Sequence, residues 1–127
     1  HEYSEEIDKM KQDFIRKELN LNEKKADEYI LLLKEYQSKR HELRETSMEL
    51  YNKNLEGQNI TEKEAELMLQ KKLETKEKML TLEREHVEKS IELISAVKVL
   101  EYYQAERAFK KKLLKMLKEK HKEQIKK

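Results

Sequence analysis

Apolar residues recur along this chain at intervals of three and four, the spacing that aligns side chains on one face of an α-helix. The first such stripe predicts a helix from about Ser4 to Leu19. It consists of Tyr3, Ile7, Met10 and Phe14. The run LNLN interrupts this pattern at residues 19–22, so a first helix should end there.

Asn22 is suited to cap a second helix, because its side-chain oxygen can accept a bond from a free backbone N–H of the first turn. The stripe that follows predicts a helix to about Glu56, roughly 50 Å long. Its apolar face comprises Ala26, Tyr29, Ile30, Leu33, Tyr36, Leu43, Leu50 and Leu55.

The segment EGQNIT at residues 56–61 is the clearest turn. Gly57 is the one glycine and suits the position after a helix end, where the backbone is often left-handed. Thr61 and Glu64 form a capping-box pattern that starts a third helix. The turn predicts an antiparallel hairpin of the second and third helices, with this face turned inward on the third: Ala65, Leu69, Leu73, Leu80, Val87 and Ile91.

Ser95 can cap a fourth helix, and a break there is favoured over a kink. Its expected apolar face is Val99, Tyr102, Phe109, Leu113 and Leu117. The predicted fold is therefore all-α, with four helices around a long antiparallel helical hairpin, in a single domain over residues 1–127 whose basic end at 110–127 is frayed.

Composition supports this fold class. Of the 127 residues 44% are charged, 6% are aromatic and none is proline, so tightly turning strands lack their usual residues. Only 36% are hydrophobic, which predicts a thin apolar layer rather than a closed core. A thin layer favours a partner, most simply a second copy in a curved homodimer.

Absent residue types exclude several classes of protein. The chain has no cysteine, so it offers neither a disulfide scaffold nor a thiolate metal cluster. No apolar run approaches the roughly 18 residues of a transmembrane segment. The beginning HEYSEEIDK does not have the pattern of a signal peptide.

The C-terminal end is strongly basic. Residues 110–127 hold nine lysines against Glu119 and Glu123, a net charge of +7. Such an amphipathic basic helix can bind nucleic acid or an anionic membrane surface. No aromatic residue follows Phe109 to stack on bases, so we expect no nucleic acid partner. The expectation is that its apolar stripe, including Met116 and Leu117, packs against the hairpin.

Two stretches echo each other: LNEKKADEY at residues 21–29 and ISAVKVLEY at residues 94–102. In both, an aliphatic residue and a capping residue precede Lys, then Glu-Tyr one turn later. The shared motif positions are Leu21, Asn22, Lys25, Ile94, Ser95 and Lys98.

This echo resembles the Leu-Thr-x-x-Gln motif of the Spy/CpxP family of periplasmic helical proteins, with Lys25 and Lys98 where the family has Gln. The resemblance covers about residues 19–118. It implies a periplasmic, dimeric protein without a cofactor: an ATP-independent chaperone or envelope-stress protein that holds unfolded protein or a signalling partner. It also implies a metal-responsive sensor or regulator as an alternative.

Catalytic chemistry has little support. A phosphate-binding loop needs more than one glycine, and carboxylates on solvated helices pair with lysines, as Glu74 can with Lys78. We expect no enzyme. The metal-binding alternative rests on His41 and His86, yet neither has a second His at the helical spacing typical of zinc sites.

A binding surface is the remaining prediction. Cationic and flexible apolar side chains share one region of the second helix, and side chains of the same kinds on the third helix can contribute to the same surface. The candidate client-binding residues are Arg40, Arg44, Met48, Tyr51, Met68, Lys72 and Met79. The structural alternative is that these residues form the seam of a coiled coil.

Overall fold

The computed structural model describes the backbone of residues 2–55 and 59–126, and the side chains of residues 5–48 and 59–125. The protein is all-α, as predicted, with four helices in these ranges. The helices are α1 (Glu2–Leu19), α2 (Glu23–Leu55), α3 (Glu62–Ile94) and α4 (Ala96–Lys126). Gly57 lies outside the described residues, so the hairpin turn there stays a prediction.

The predicted caps of α2 and α3 are confirmed. Asn22 Oδ1 accepts a hydrogen bond from the backbone N–H of Lys25 at 2.9 Å. Thr61 Oγ1 accepts one from the N–H of Glu64 at 3.1 Å and donates its own hydrogen to that residue's carboxylate at 3.0 Å. These bonds satisfy backbone N–H groups that have no partner within the helix.

Ser95 separates α3 from α4, which confirms the predicted break. Its Oγ accepts a bond from the N–H of Lys98 at 3.3 Å. Its own φ is 93°, a left-handed value that is uncommon outside glycine. Asn20 ends α1 with a φ of 48°, and its N–H donates to the carbonyl of Arg16 at 3.2 Å. Asparagine tolerates this conformation better than most residues.

The chain divides into two compact units. The first contains the chain up to Ile30 and again from Ser90 onward, and the second lies between Leu31 and Lys89. Helices α2 and α3 each contribute residues to both units. The organisation of residues 1–127 as a single domain stays a prediction.

The first unit holds most of the buried residues. They are Ile15, Leu19, Ala26, Tyr29, Ile30, Ser90, Ile94, Val99, Tyr102, Ala105 and Phe109. The rings of Phe14 and Phe109 lie 5.7 Å apart between centroids, and the ammonium of Lys98 donates to the carbonyl of Leu19 at 2.6 Å. That carbonyl belongs to the last turn of α1, where a cation is favourable.

The expected face of α1 is only partly correct. Ile15 and Leu19 are the buried residues of this helix, whereas Met10 is exposed. Ile15 and Leu19 are four residues apart, so they share a helical face that is rotated from the predicted one. Spacing alone fits either face.

In the second unit, the face predicted to turn inward on α3 is wrong at three leucines. Leu69, Leu73 and Leu80 are 60%, 59% and 55% exposed. Ala65 and Val87 of the predicted face are half-buried, whereas Ile91, in the first unit, is exposed. The other half-buried positions of α3 in the second unit are Met68, Thr75, Met79 and Leu82, and His86 is buried. Both sets have helical spacing, so periodicity could not choose between them.

In α4, burial ends early. Phe109 is buried and Leu113 half-buried, but Met116 and Leu117 are exposed. The expected packing of the C-terminal stripe is therefore wrong at these two residues.

Candidate binding surface

The most prominent exposed apolar feature of the second unit is the leucine stripe of α3, formed by Leu69, Leu73 and Leu80. Separations of four and seven residues place these side chains on one face of the helix. Each is more than half exposed, and half-buried Val87 continues the line. Large apolar side chains that are exposed to water on one face mark a surface whose coverage by a partner would lower the free energy.

Charged residues of both signs border the leucine stripe. Lys76 lies on the same helical face as the leucines, between Leu73 and Leu80, while Glu77, Glu83 and Arg84 lie to either side of it; all four are exposed. Long charged side chains carry apolar stems, so this border can contact apolar and polar groups alike.

The half-buried face of α3 is held by an aromatic stack. The rings of Tyr36 and His86 lie 4.1 Å apart between centroids and are inclined by only 4°. The guanidinium of Arg40 lies 5.4 Å from the centre of the Tyr36 ring, within cation–π range. Arg40 is therefore in contact with Tyr36 within the second unit itself.

An open groove of about 420 Å³ is lined by side chains of α2 and α3. Leu43 and Leu82 provide its apolar part. Its polar lining consists of Lys39, Glu42, Thr46, Lys78, Thr81 and Glu85. The mixture of charges gives it no preference for an anion or a cation.

The predicted client-binding residues fall into two groups. Arg44, Met48 and Lys72 are exposed, and Met48 is 54% exposed. Arg40, Met68 and Met79 are half-buried. The side chain of Tyr51 lies outside the described residues. Whether these residues bind a client stays a prediction.

Sequence reasoning missed the leucine stripe because it assigned those residues to the interior. A signal was present: Met68, Thr75, Met79, Leu82 and His86 form a second line at helical spacing on the same helix. Two competing lines imply that one of them faces outward.

The echoed motifs come together in the first unit. Tyr29 and Tyr102, the last residues of the two stretches, meet edge to face with centroids 5.5 Å apart. Of the motif residues, Ile94 is buried, Leu21 and Lys98 are half-buried, and Lys25 is exposed. The echo thus produces two capped helix starts, and each supplies one ring to a single aromatic contact.

These tyrosines have perturbed acidities. Burial raises the pKa of both Tyr29 and Tyr102, and the hydrogen bond of Tyr102 to Glu106 adds to its rise. The Tyr102 hydroxyl donates to a Glu106 carboxylate oxygen at 2.6 Å, and the ammonium of Lys11 lies 3.4 Å from the same oxygen. Burial alone would raise the pKa of Glu106, but the bond from Tyr102 and the charges of Lys11 and Lys110 outweigh it, so the net pKa is lowered.

The two histidines of the metal-binding alternative have different surroundings. His41 is exposed and pairs with Glu45, Nε2 to Oε1 at 3.1 Å, whereas His86 is buried against Tyr36. Within the described ranges, no three His, Cys, Asp or Glu residues gather in a group able to hold a metal ion. Nor does any helix in those ranges have an apolar stretch long enough to cross a membrane.

Comparisons with protein-family models, curated proteins and solved structures found no match to this chain. The resemblance to the Spy/CpxP family therefore stays a prediction.

Proposed function

We propose that this protein is a non-catalytic binding protein that holds partly unfolded polypeptide, without ATP, on the leucine stripe of α3. The single observation that carries the proposal is the regular exposure of Leu69, Leu73 and Leu80 on a helix that is otherwise densely charged. A partly unfolded chain exposes apolar side chains that can cover them.

The energetics favour weak, reversible holding. Fully burying a leucine stabilises by roughly 1.5–3 kcal/mol, and each stripe residue has slightly more than half of its surface left to bury. Three such contacts contribute roughly 2–5 kcal/mol, which does not exceed the free-energy cost of association, so binding to the stripe alone is weak and contacts with the bordering charges must add to it. The bordering charges can pair with polar groups of many clients.

The periplasmic location and the role in envelope stress are part of this proposal only through the resemblance to the Spy/CpxP family. The client, or a signalling partner in its place, would be recognised by exposed apolar segments rather than by a specific sequence.

The proposal is tested by an aggregation-suppression assay with an unrelated, chemically denatured enzyme. We expect the wild-type protein to suppress light scattering at sub-stoichiometric to equimolar ratios. The triple variant Leu69→Gln, Leu73→Gln, Leu80→Gln should lose most of this suppression. Glutamine keeps a good helix propensity, so α3 should remain folded.

A matched control changes three equally exposed leucines off the stripe: Leu31→Gln, Leu67→Gln and Leu100→Gln. These residues are 58%, 51% and 66% exposed, so a similar apolar area is removed. The control should suppress aggregation as the wild type does. Absence of suppression by the wild type, or equal loss in both triple variants, would contradict the proposal.

A second candidate is a structural coiled coil in which a second copy covers the stripe. The observation that favours it is the border of mixed sign, in which Lys76 and Glu83 can meet their opposites on an identical face. In that case light scattering should give the mass of an oligomer for the wild type, the stripe variant should be monomeric, and neither should suppress aggregation.

A further inference from the structure

The distal part of α4 is a second, separate surface whose residues have no role in the proposed function. The helix continues from Phe109, its last buried residue, to Lys126, about 25 Å at the usual rise. Leu114 is 59% exposed, and Leu117 and Ile125 are also exposed.

Lysines form a regular line on this segment, the lysine face: Lys111, Lys115, Lys118 and Lys122. Separations of four, three and four residues place them within about 60° around the helix axis. All four are exposed, and within the described residues none of them forms an ion pair. The neighbouring Lys110 and Lys112 are engaged in the first unit, with Glu106 at 3.7 Å and the Phe14 ring at 5.9 Å.

Leucines occupy a different arc of the same helix. Leu113, Leu114 and Leu117 lie within about 100°, separate from the lysine face. A helix with a cationic arc beside an apolar arc matches the boundary of an anionic bilayer, where leucines enter the acyl region and lysines reach the headgroups.

We propose that the distal half of α4 binds the surface of an anionic lipid bilayer, lying in the plane of the interface. Charge complementarity selects this occupant: residues 110–127 carry a net charge of +7, which opposes self-association of this segment. The phosphates of a nucleic acid would pair with the lysines, but the leucines would remain in water. The segment after Phe109 also has no aromatic residue on which bases could stack.

The test is co-sedimentation of the full chain with vesicles of neutral phosphatidylcholine, alone or mixed with phosphatidylserine. We expect binding to the mixed vesicles at physiological salt and at least roughly 600-fold weaker binding to the neutral ones, which lack the charge that attracts the lysines of this segment. Each lysine near an anionic surface contributes about fivefold in affinity, so the variant with all four lysines of the lysine face changed to Gln should lose roughly 600-fold.

A matched control removes the same charge elsewhere, through Lys24→Gln, Lys34→Gln, Lys63→Gln and Lys71→Gln, all at exposed positions. It should bind within about twofold of the wild type. Equal loss in the two quadruple variants would overturn the proposal, because net charge alone would then explain the binding. Helicity by circular dichroism verifies that each variant is folded.

The apolar contribution separates a bilayer from a soluble polyanion. Leu114→Gln with Leu117→Gln should weaken vesicle binding by about tenfold and leave any binding to polyglutamate or single-stranded RNA unchanged. If this variant binds vesicles as the wild type does, or if the wild type prefers polyglutamate or RNA to the mixed vesicles, the bilayer is not the partner. Failure of this test leaves the aggregation assay unaffected, because the leucine stripe lies on α3.

Discussion

At the scale of single residues, the carboxylate of Glu106 combines three interactions. It accepts the hydroxyl hydrogen of Tyr102 at 2.6 Å, and the ammonium groups of Lys11 and Lys110 lie 3.4 Å and 3.7 Å from its oxygens. With a side chain 21% exposed, it is shielded enough for these interactions to exceed those of a surface ion pair. Together they lower its pKa despite burial.

The lowered pKa has a consequence for stability. A carboxyl group whose pKa is lower in the folded than in the unfolded protein stabilises the fold at pH values above its ordinary pKa of 4.5. This stabilisation is lost as the pH falls through the pKa of the folded state. We expect Glu106→Gln to reduce the free energy of unfolding by about 1–2 kcal/mol at pH 7. The difference from the wild type should shrink below about pH 4.5, as measured by urea unfolding across pH.

Glu119→Gln is the matched control for this prediction, because Glu119 is exposed on the same helix. It should change stability by less than about 0.5 kcal/mol at every pH. A deficit in Glu106→Gln that is equally large at pH 3 and pH 7 would contradict the electrostatic explanation.

At the scale of elements, helix starts were the most predictable features of the fold. Asn22, Thr61 and Ser95 each accept a bond from the N–H three residues later, because capping depends on local geometry that short segments of sequence encode. The buried faces of the helices were less predictable. On α3, one line of leucines and another of methionine, threonine and histidine satisfy the same period, and only the neighbouring helix determines which one is covered.

Ser95 combines a cap with a left-handed backbone, and substitutions can separate the two. Ser95→Ala loses the acceptor and keeps the Cβ, so it should cost about 1–2 kcal/mol. Ser95→Gly loses the acceptor but removes the conformational cost, and Ser95→Asn keeps an acceptor and tolerates the conformation. We expect the order of stability Asn above Gly above Ala, measured by urea unfolding.

A control at Ser38, an exposed position inside α2, should behave differently. There Ser38→Ala should be neutral or stabilising, and Ser38→Gly destabilising, because the backbone is helical. If Ala were the most stable replacement at Ser95 as well, the positive φ would not describe the backbone in solution.

At the scale of the whole molecule, burial is unevenly distributed. The first unit buries paired aromatic rings, Phe14 with Phe109 and Tyr29 with Tyr102, while the second unit between Leu31 and Lys89 buries only Leu33 and His86 among its described residues. Local opening needs less free energy where fewer apolar groups are buried.

Hydrogen–deuterium exchange should therefore be slowest around residues 26–30 and 99–109, and at least about tenfold faster around residues 65–80. Peptide-level mass spectrometry measures this directly. Uniform protection along α3 and α4 would contradict the uneven burial. The stripe variant Leu69→Gln, Leu73→Gln, Leu80→Gln should exchange at nearly the same rates as the wild type, because exposed leucines contribute little to protection.

By itself, the sequence determined the all-α class, four helices, and the residues that begin α2, α3 and α4, because charge content, missing proline and capping side chains act locally. It also placed Tyr29 and Tyr102 at equivalent positions of two helices. Only the tertiary structure brought these two rings together, buried Ile15 and Leu19, left the leucine stripe of α3 exposed and ended the burial of α4 near Phe109. Those outcomes depend on which helix face meets which neighbour, and a period of 3.6 residues aligns side chains along a helix without specifying what lies opposite them.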